Sequence, residues 1–232
     1  SQTKELTLDA IFKDPQHTAS RYMLVSMNPQ DVKKHHIDSF FKNFNHDGYE
    51  SATRDKLIEL DSSHIDTLMK SKSVTPYTKE LIIKKSSAVS PHHIDAALDI
   101  EHFGLQHAAI THKNATEENY NKVIENPNRI KNQYGEYVHM SQYIPVDRMT
   151  PNNIHKIISD PGLPSEVRTN ALRSVNASNE NLKTAVKSNN MQLAVQALLH
   201  PNVSNEVIQI GKNHKSPDIQ AVAKAIGEKK GA

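Results

Sequence analysis

One short pattern recurs six times along the chain. A Ser, Thr, Asp or Lys is followed four residues later by an apolar residue, with two more apolar residues three and four positions beyond. The apolar triplets are Ile37-Phe40-Phe41, Ile65-Leu68-Met69, Ile94-Ala97-Leu98, Tyr120-Val123-Ile124, Ile154-Ile157-Ile158 and Leu182-Ala185-Val186. Their starts are 28, 29, 26, 34 and 28 residues apart, and a weaker seventh copy reads Val207, Ile210, Gly211. Apolar residues at i, i+3 and i+4 make one stripe of a helix. A period of this length is too short for a domain and suits two helices with their turns. One such hairpin cannot bury its apolar face alone, so hairpins of this kind stack in a row.

Composition agrees with a narrow, continuous core. The chain of 232 residues is 36% hydrophobic and only 5% aromatic, with no Trp, and its 7 Gly and 11 Pro are too few for a turn-rich all-β protein. It has no Cys, which excludes disulfides, thiolate metal sites and Cys nucleophiles. No apolar run approaches the roughly 18 residues of a membrane span, and the N-terminus has no apolar signal-peptide region. A cytoplasmic protein without a membrane partner is expected. Net charge is +2, and the charge is graded along the chain. Residues 1–116 carry 14 Lys/Arg against 15 Asp/Glu, whereas residues 151–232 carry 10 against 6.

The punctuation matches the period. Thr75-Pro76, Ser90-Pro91, Thr150-Pro151 and Ser216-Pro217 each put a capping hydroxyl before a proline, the order favoured where a helix begins. Thr116, Ser178 and Ser204 hold the same place without proline. First (A) helices are expected near 32–43, 62–70, 91–100, 117–126, 151–159, 179–188 and 205–213. Second (B) helices are expected near 17–27, 50–60, 76–87, 102–112, 128–140, 165–174, 190–199 and 217–228. The B helices carry an apolar residue with Ala four on, as in Leu105-Ala109-Ile110, Val167-Ala171-Leu172, Leu193-Ala197-Leu198 and Ile219-Ala223. Connectors such as His112-Lys113-Asn114-Ala115-Thr116 and His200-Pro201-Asn202-Val203-Ser204 place a His at the end of helix B, where its charged form suits the helix dipole.

This layout resembles the HEAT/armadillo class of α-solenoids, with a shorter repeat. The two connectors just quoted are more specifically similar to short α-helical repeats in uncharacterised proteins of large tailed bacteriophages. The resemblance covers roughly residues 15–226. It implies a phage-encoded binding scaffold, with the host cytoplasm as its location, and it carries no catalytic residue over. The expected fold is all-α: a right-handed α-solenoid of about seven helical hairpin repeats of 26–29 residues. Residues 1–14, with a short helix near 5–13, form an N-terminal cap; residues 15–232 form the repeat domain, with an insertion around 128–149.

The chemistry is less legible. The insertion holds Tyr134, Tyr137 and Tyr143, and insertions in repeat proteins fall on one face, often the binding face. The position after the first apolar residue reads Asp38, Asp66, Asp95, Asn121, His155, Lys183, from acidic to basic. A graded surface of this kind suits a partner of complementary polarity; a solvated polar face with chance ordering is the simpler explanation. The position before the first apolar residue reads His36, His64, His93, Asn119, Asn153, Asn181, near the third residue of helix A, where a side chain reaches back to the cap. His-Ile-Asp recurs at 36–38, 64–66 and 93–95. Equivalent positions on neighbouring hairpins lie about 8–10 Å apart, too far to share a zinc ion, and His92 and His93 are expected on different helix faces. No metal, no cofactor and no small-molecule substrate is therefore expected.

Phosphate-loop, dinucleotide-binding and nucleophile-elbow motifs are absent, so the chain reads as non-enzymatic. The leading expectation is a scaffold, adaptor or inhibitor docking a protein through Tyr134, Tyr137, Tyr143, Asp38, Asp66, Asp95, His155 and Lys183. The alternative is sequence-independent DNA or RNA binding through Arg168, Arg173, Lys183, Lys187, Lys212 and Lys215, in the salt-sensitive manner of phosphate contacts. A third reading, a DNA-repair-type glycosylase-like enzyme, lacks the Trp residues such sites use.

Overall fold

The computed structural model describes His35, residues 61–72 and residues 74–231. The expected N-terminal cap, the A helix near 32–43 apart from His35, the B helices near 17–27 and 50–60, and Asp38 and His36 lie outside the described residues. The protein is all-α in class: eleven α-helices account for most of the described chain. Among the described residues no helix is long and apolar enough to cross a membrane. Two compact units divide them, one running to Thr116 with Lys131–Glu136, the other comprising Glu117–Ile130 with Tyr137 onward.

The first unit holds four helices: α1 (Ser62–Lys70), α2 (Pro76–Lys85), α3 (Pro91–Leu98) and α4 (Phe103–Thr111). The A helices α1 and α3 pack together, the B helices α2 and α4 pack together, and each A helix meets the B helix that follows it. The second unit holds α5 (Glu117–Glu125), α6 (Pro151–Ser159), α7 (Ser165–Ala171), α8 (Asn179–Val186), α9 (Met191–Leu198), α10 (Asn205–Lys212) and α11 (Pro217–Lys230). Here the A helices α5, α6, α8 and α10 each touch the next, and the B helices α7, α9 and α11 do the same. The apolar triplets of α1, α3, α5, α6 and α8 are all buried, as are the Leu/Val-Ala residues of the B helices.

Two readings are corrected by this arrangement. The B helix expected near 128–140 does not form. Two-residue strands, β1 (Ile130–Lys131) and β2 (Tyr137–Val138), flank a turn, and 3-10 turns follow at Met140–Tyr143 and Val146–Arg148. Asn132 Oδ1 accepts from the Tyr134 and Glu136 amides and folds the chain back on itself, and Gly135 sits at φ +85°, a left-handed turn conformation that favours glycine. The Met140–Tyr143 turn takes the place of the missing B helix, packing on α5 and on α7. The seventh triplet is also displaced by one residue. The Ser204 hydroxyl accepts from the Val207 amide, so the cap register places Ile208 first and Gly211 second, where α3 and α8 have Ala97 and Ala185. A β-carbon at Gly211 would meet Ala223 at 2.8 Å and Leu198 at 2.9 Å, so glycine is what lets α10 lie against α9 and α11.

Candidate functional site

Many polar side chains of the described residues bond helix ends. At the third residue of the A helices, His93, Asn153 and Asn181 share one role. His93 Nδ1 accepts from the Ser90 amide at 3.0 Å, Asn153 Oδ1 from the Thr150 amide at 3.1 Å, and Asn181 Oδ1 from the Ser178 amide at 2.9 Å. The opposite end of each side chain donates to the preceding A helix. His93 Nε2 reaches the Ser62 carbonyl at 3.1 Å, and Asn181 Nδ2 reaches the Pro151 carbonyl at 3.1 Å, both at the first residue of that helix. Asn153 Nδ2 reaches Asn121 Oδ1 at 3.0 Å. Histidine and asparagine interchange here because each offers an acceptor on one side and a donor on the other. His64 departs from the pattern by turning Nδ1 to the side chain of its own cap, Asp61, at 2.7 Å.

The fourth residue of the B helices is a second recurring device. Lys79 Nζ donates to the Met69 carbonyl at 2.8 Å, Gln106 Nε2 to the Leu98 carbonyl at 2.9 Å, Arg168 Nε to the Ile158 carbonyl at 3.0 Å, and Gln220 Nε2 to the His214 carbonyl at 2.6 Å. The Met69, Leu98 and Ile158 carbonyls lie in the last turn of the preceding A helix and have no intrahelical partner, while that of His214 lies just beyond the end of α10. Burial holds the Lys79 ammonium below its usual value. In the connectors, Asn114 donates to the Val89 carbonyl, Asn176 to those of Asp147 and Met149, and Asn202 to that of Val175. His112 Nδ1 accepts from the Asn114 amide and His200 Nδ1 from the Asn202 amide, so each imidazole holds its own connector turn.

The charge ladder is largely engaged within the chain. Asp66 accepts from His92 Nε2 at 2.7 Å, Asn121 is held by Asn153, and Lys183 bridges Glu206 at 2.7 Å and Glu180 at 2.9 Å. The hydrogen bond to Glu206, then that to Glu180, raises the Lys183 ammonium above its usual value. Asp95 and His155 are exposed. Among the residues of the nucleic-acid reading, Arg168 and Lys183 are taken by these contacts and Lys212 is half-buried, while Arg173, Lys187 and Lys215 are exposed.

His92 and His93 do not diverge. Their ring centroids are 4.0 Å apart, and both Nε2 atoms face Asp66 Oδ1, at 2.7 and 3.1 Å. The expectation compared equivalent positions on neighbouring helices. The structure instead joins the fifth residue of α1 to the second and third residues of α3. The repeat spacing contains this signal, because those positions lie one period less two or three residues apart.

The tyrosines of the insertion differ in setting. Tyr134 is 79% exposed on a turn fixed from within: Asn132 Oδ1 accepts from the Tyr134 and Glu136 amides, both at 2.9 Å, and the Asn132 carbonyl accepts from Gly135 at 3.0 Å. In the second unit Tyr137 is 67% exposed, and Tyr143, in the 3-10 turn, is half-buried. No protein-family model matches this chain, and no curated protein matches it in sequence.

Proposed function

We propose that the chain is a right-handed α-solenoid of about seven helical hairpins acting as a non-enzymatic scaffold, adaptor or inhibitor that docks a protein partner. The observation that carries this reading is Tyr134. A large amphipathic side chain is held out in solvent by a turn whose own hydrogen bonds fix its backbone. A tyrosine so presented binds at low entropic cost, since neither the loop nor many side-chain torsions must be ordered on contact, and tyrosine is enriched among the residues that dominate protein interfaces. The helix-end bonds between successive helices support the same reading by keeping the framework rigid. Nucleic-acid binding through the C-terminal third stands behind it, because Arg168 and Lys183 are committed to contacts within the chain.

The test is affinity capture from a lysate, with and without nuclease treatment, using the wild-type chain, Tyr134→Ala and Tyr137→Ala, read by quantitative mass spectrometry. A protein retained by wild type and depleted at least tenfold by Tyr134→Ala, at unchanged helicity, is the expected result. Equal capture by all three chains refutes the placement. Capture lost on nuclease treatment transfers the reading to nucleic acid.

A further inference from the structure

The third position of α3 is the clamp, filled by His93, so the helix end does not need His92. The second position of α10 makes the same reach to the preceding A helix, Glu206 to Lys183 at 2.7 Å, as a carboxylate–ammonium pair. At α3 the reach instead brings two imidazoles, His92 and His93, to Asp66 of the preceding A helix. We propose that Asp66, His92 and His93 bind one zinc ion, through a carboxylate oxygen and the two Nε2 atoms, with water completing the shell.

Three features of the geometry support this. The three donor atoms lie within 4.8 Å of one another, and both Nε2 atoms converge on the same carboxylate oxygen. Tetrahedral zinc, with ligands at about 2.0–2.2 Å, spaces its ligand atoms about 3.3 Å apart. The present spacings of 2.7 and 3.1 Å therefore need to open by well under 1 Å, which rotation of the half-exposed Asp66 side chain supplies. Second, a metal-bound imidazole must donate its other N–H to an acceptor that orients the ring. One hydroxyl serves both rings: Ser90 Oγ is 2.7 Å from His92 Nδ1 and 3.0 Å from His93 Nδ1, and it has two lone pairs to offer. Third, two imidazoles and one carboxylate are a donor set for zinc-like cations rather than for calcium or magnesium, which take oxygen. His92 is exposed and Asp66 half-exposed, which leaves an entry path and room for water.

Binding has a structural consequence. His93 must move its proton from Nε2 to Nδ1, so it gives up its bond to the Ser62 carbonyl and its acceptance of the Ser90 amide. The metal thus replaces one link between α1 and α3 with a stronger one.

The experiment uses the full chain, stripped with a chelator and titrated calorimetrically with zinc chloride at neutral pH, with the visible absorption of the cobalt(II) form as a second readout. His92→Ala and Asp66→Asn are the variants; neither removes the His93 clamp, and circular dichroism checks their fold. One zinc per chain, weakened at least about tenfold in each variant, with a tetrahedral cobalt spectrum lost in both, is expected. The absence of zinc binding, or binding of equal affinity and stoichiometry in wild type and both variants, overturns the proposal.

Discussion

Replacing Asn181 by Ala removes a side chain that holds two helices at once. Its Oδ1 accepts from the Ser178 amide at 2.9 Å and from the Ser178 hydroxyl at 3.0 Å; its Nδ2 donates to the Pro151 carbonyl at 3.1 Å; and the residue is buried. Loss of the cap interaction costs about 1 kcal/mol. Losing the bond to the Pro151 carbonyl costs about 0.5–1.5 kcal/mol more, since that carbonyl belongs to the first residue of α6 and keeps its place in the helical ladder. The sum, about 1.5–2.5 kcal/mol, corresponds to a fall of about 1 M in the urea midpoint at a slope near 2 kcal/mol/M. The sharper contrast is between replacements. Asn181→His keeps an acceptor toward the cap and a donor toward Pro151, as His93 does in the first unit, and should recover at least half of the loss. Asn181→Asp keeps only the acceptor and sets a carboxylate against the Pro151 carbonyl, so it should be no better than Ala. Urea unfolding followed by circular dichroism ranks the three. An Ala variant within about 0.5 kcal/mol of wild type, or an Asp variant more stable than the His variant, would refute the two-sided clamp.

Gly211→Ala adds a methyl group where Ala223 and Leu198 already stand at 2.8 and 2.9 Å, and should lower stability by about 1–3 kcal/mol in the same urea assay. Arg168→Met keeps most of the aliphatic stem but withdraws the charged donor from the Ile158 carbonyl, and should cost about 1.5–3 kcal/mol. Asp61 caps α1 by accepting from the His64 amide, and this bond, with that from Ser63, lowers its carboxyl to about 2. Because the folded value lies below the unfolded one, its contribution is complete above about pH 4 and disappears as pH falls toward 2. Asp61→Asn, which still caps, should match wild type at pH 7 and lose less stability than wild type across that acid window, as measured by unfolding at stepped pH.

Local chemistry made the helices readable. The triplet Ile154-Ile157-Ile158 and the cap Thr150-Pro151 each state their role within a few residues, and α6 runs from Pro151 to Ser159 as the pattern requires. The segment after α5 misled because a B helix was due there by the period. Asn132 and Gly135 were the local signals against it, and they prevailed. The seventh triplet slipped because Val207 is apolar where α6 and α8 carry asparagine; the Ser204 cap, not hydropathy, fixes its register. The Asp66–His92 contact was hidden for a different reason. It joins residues 26 apart in the sequence, at positions that are not equivalent in the repeat, so no local motif announces it. Lys183 and Glu206 repeat the fifth-to-second offset, which makes the rule visible once the helices are placed. Exposure of Tyr134 followed from the turn residues around it, whereas the engagement of Arg168 by a backbone carbonyl could not be read from charge alone.

If the chain is an array of equivalent hairpins, one hairpin can be removed without destroying the rest. Ser178 and Ser204 cap successive A helices, and α8 with α9 lies between them. Deleting residues 178–203 joins Ala177 to Ser204, so that α10 takes the place of α8 on α6 and α11 takes that of α9 on α7. A soluble chain that unfolds cooperatively, with helicity reduced only in proportion to the deleted residues, is the predicted result in thermal unfolding followed by circular dichroism. A deleted chain without a folding transition would contradict the repeat array on which the scaffold reading depends.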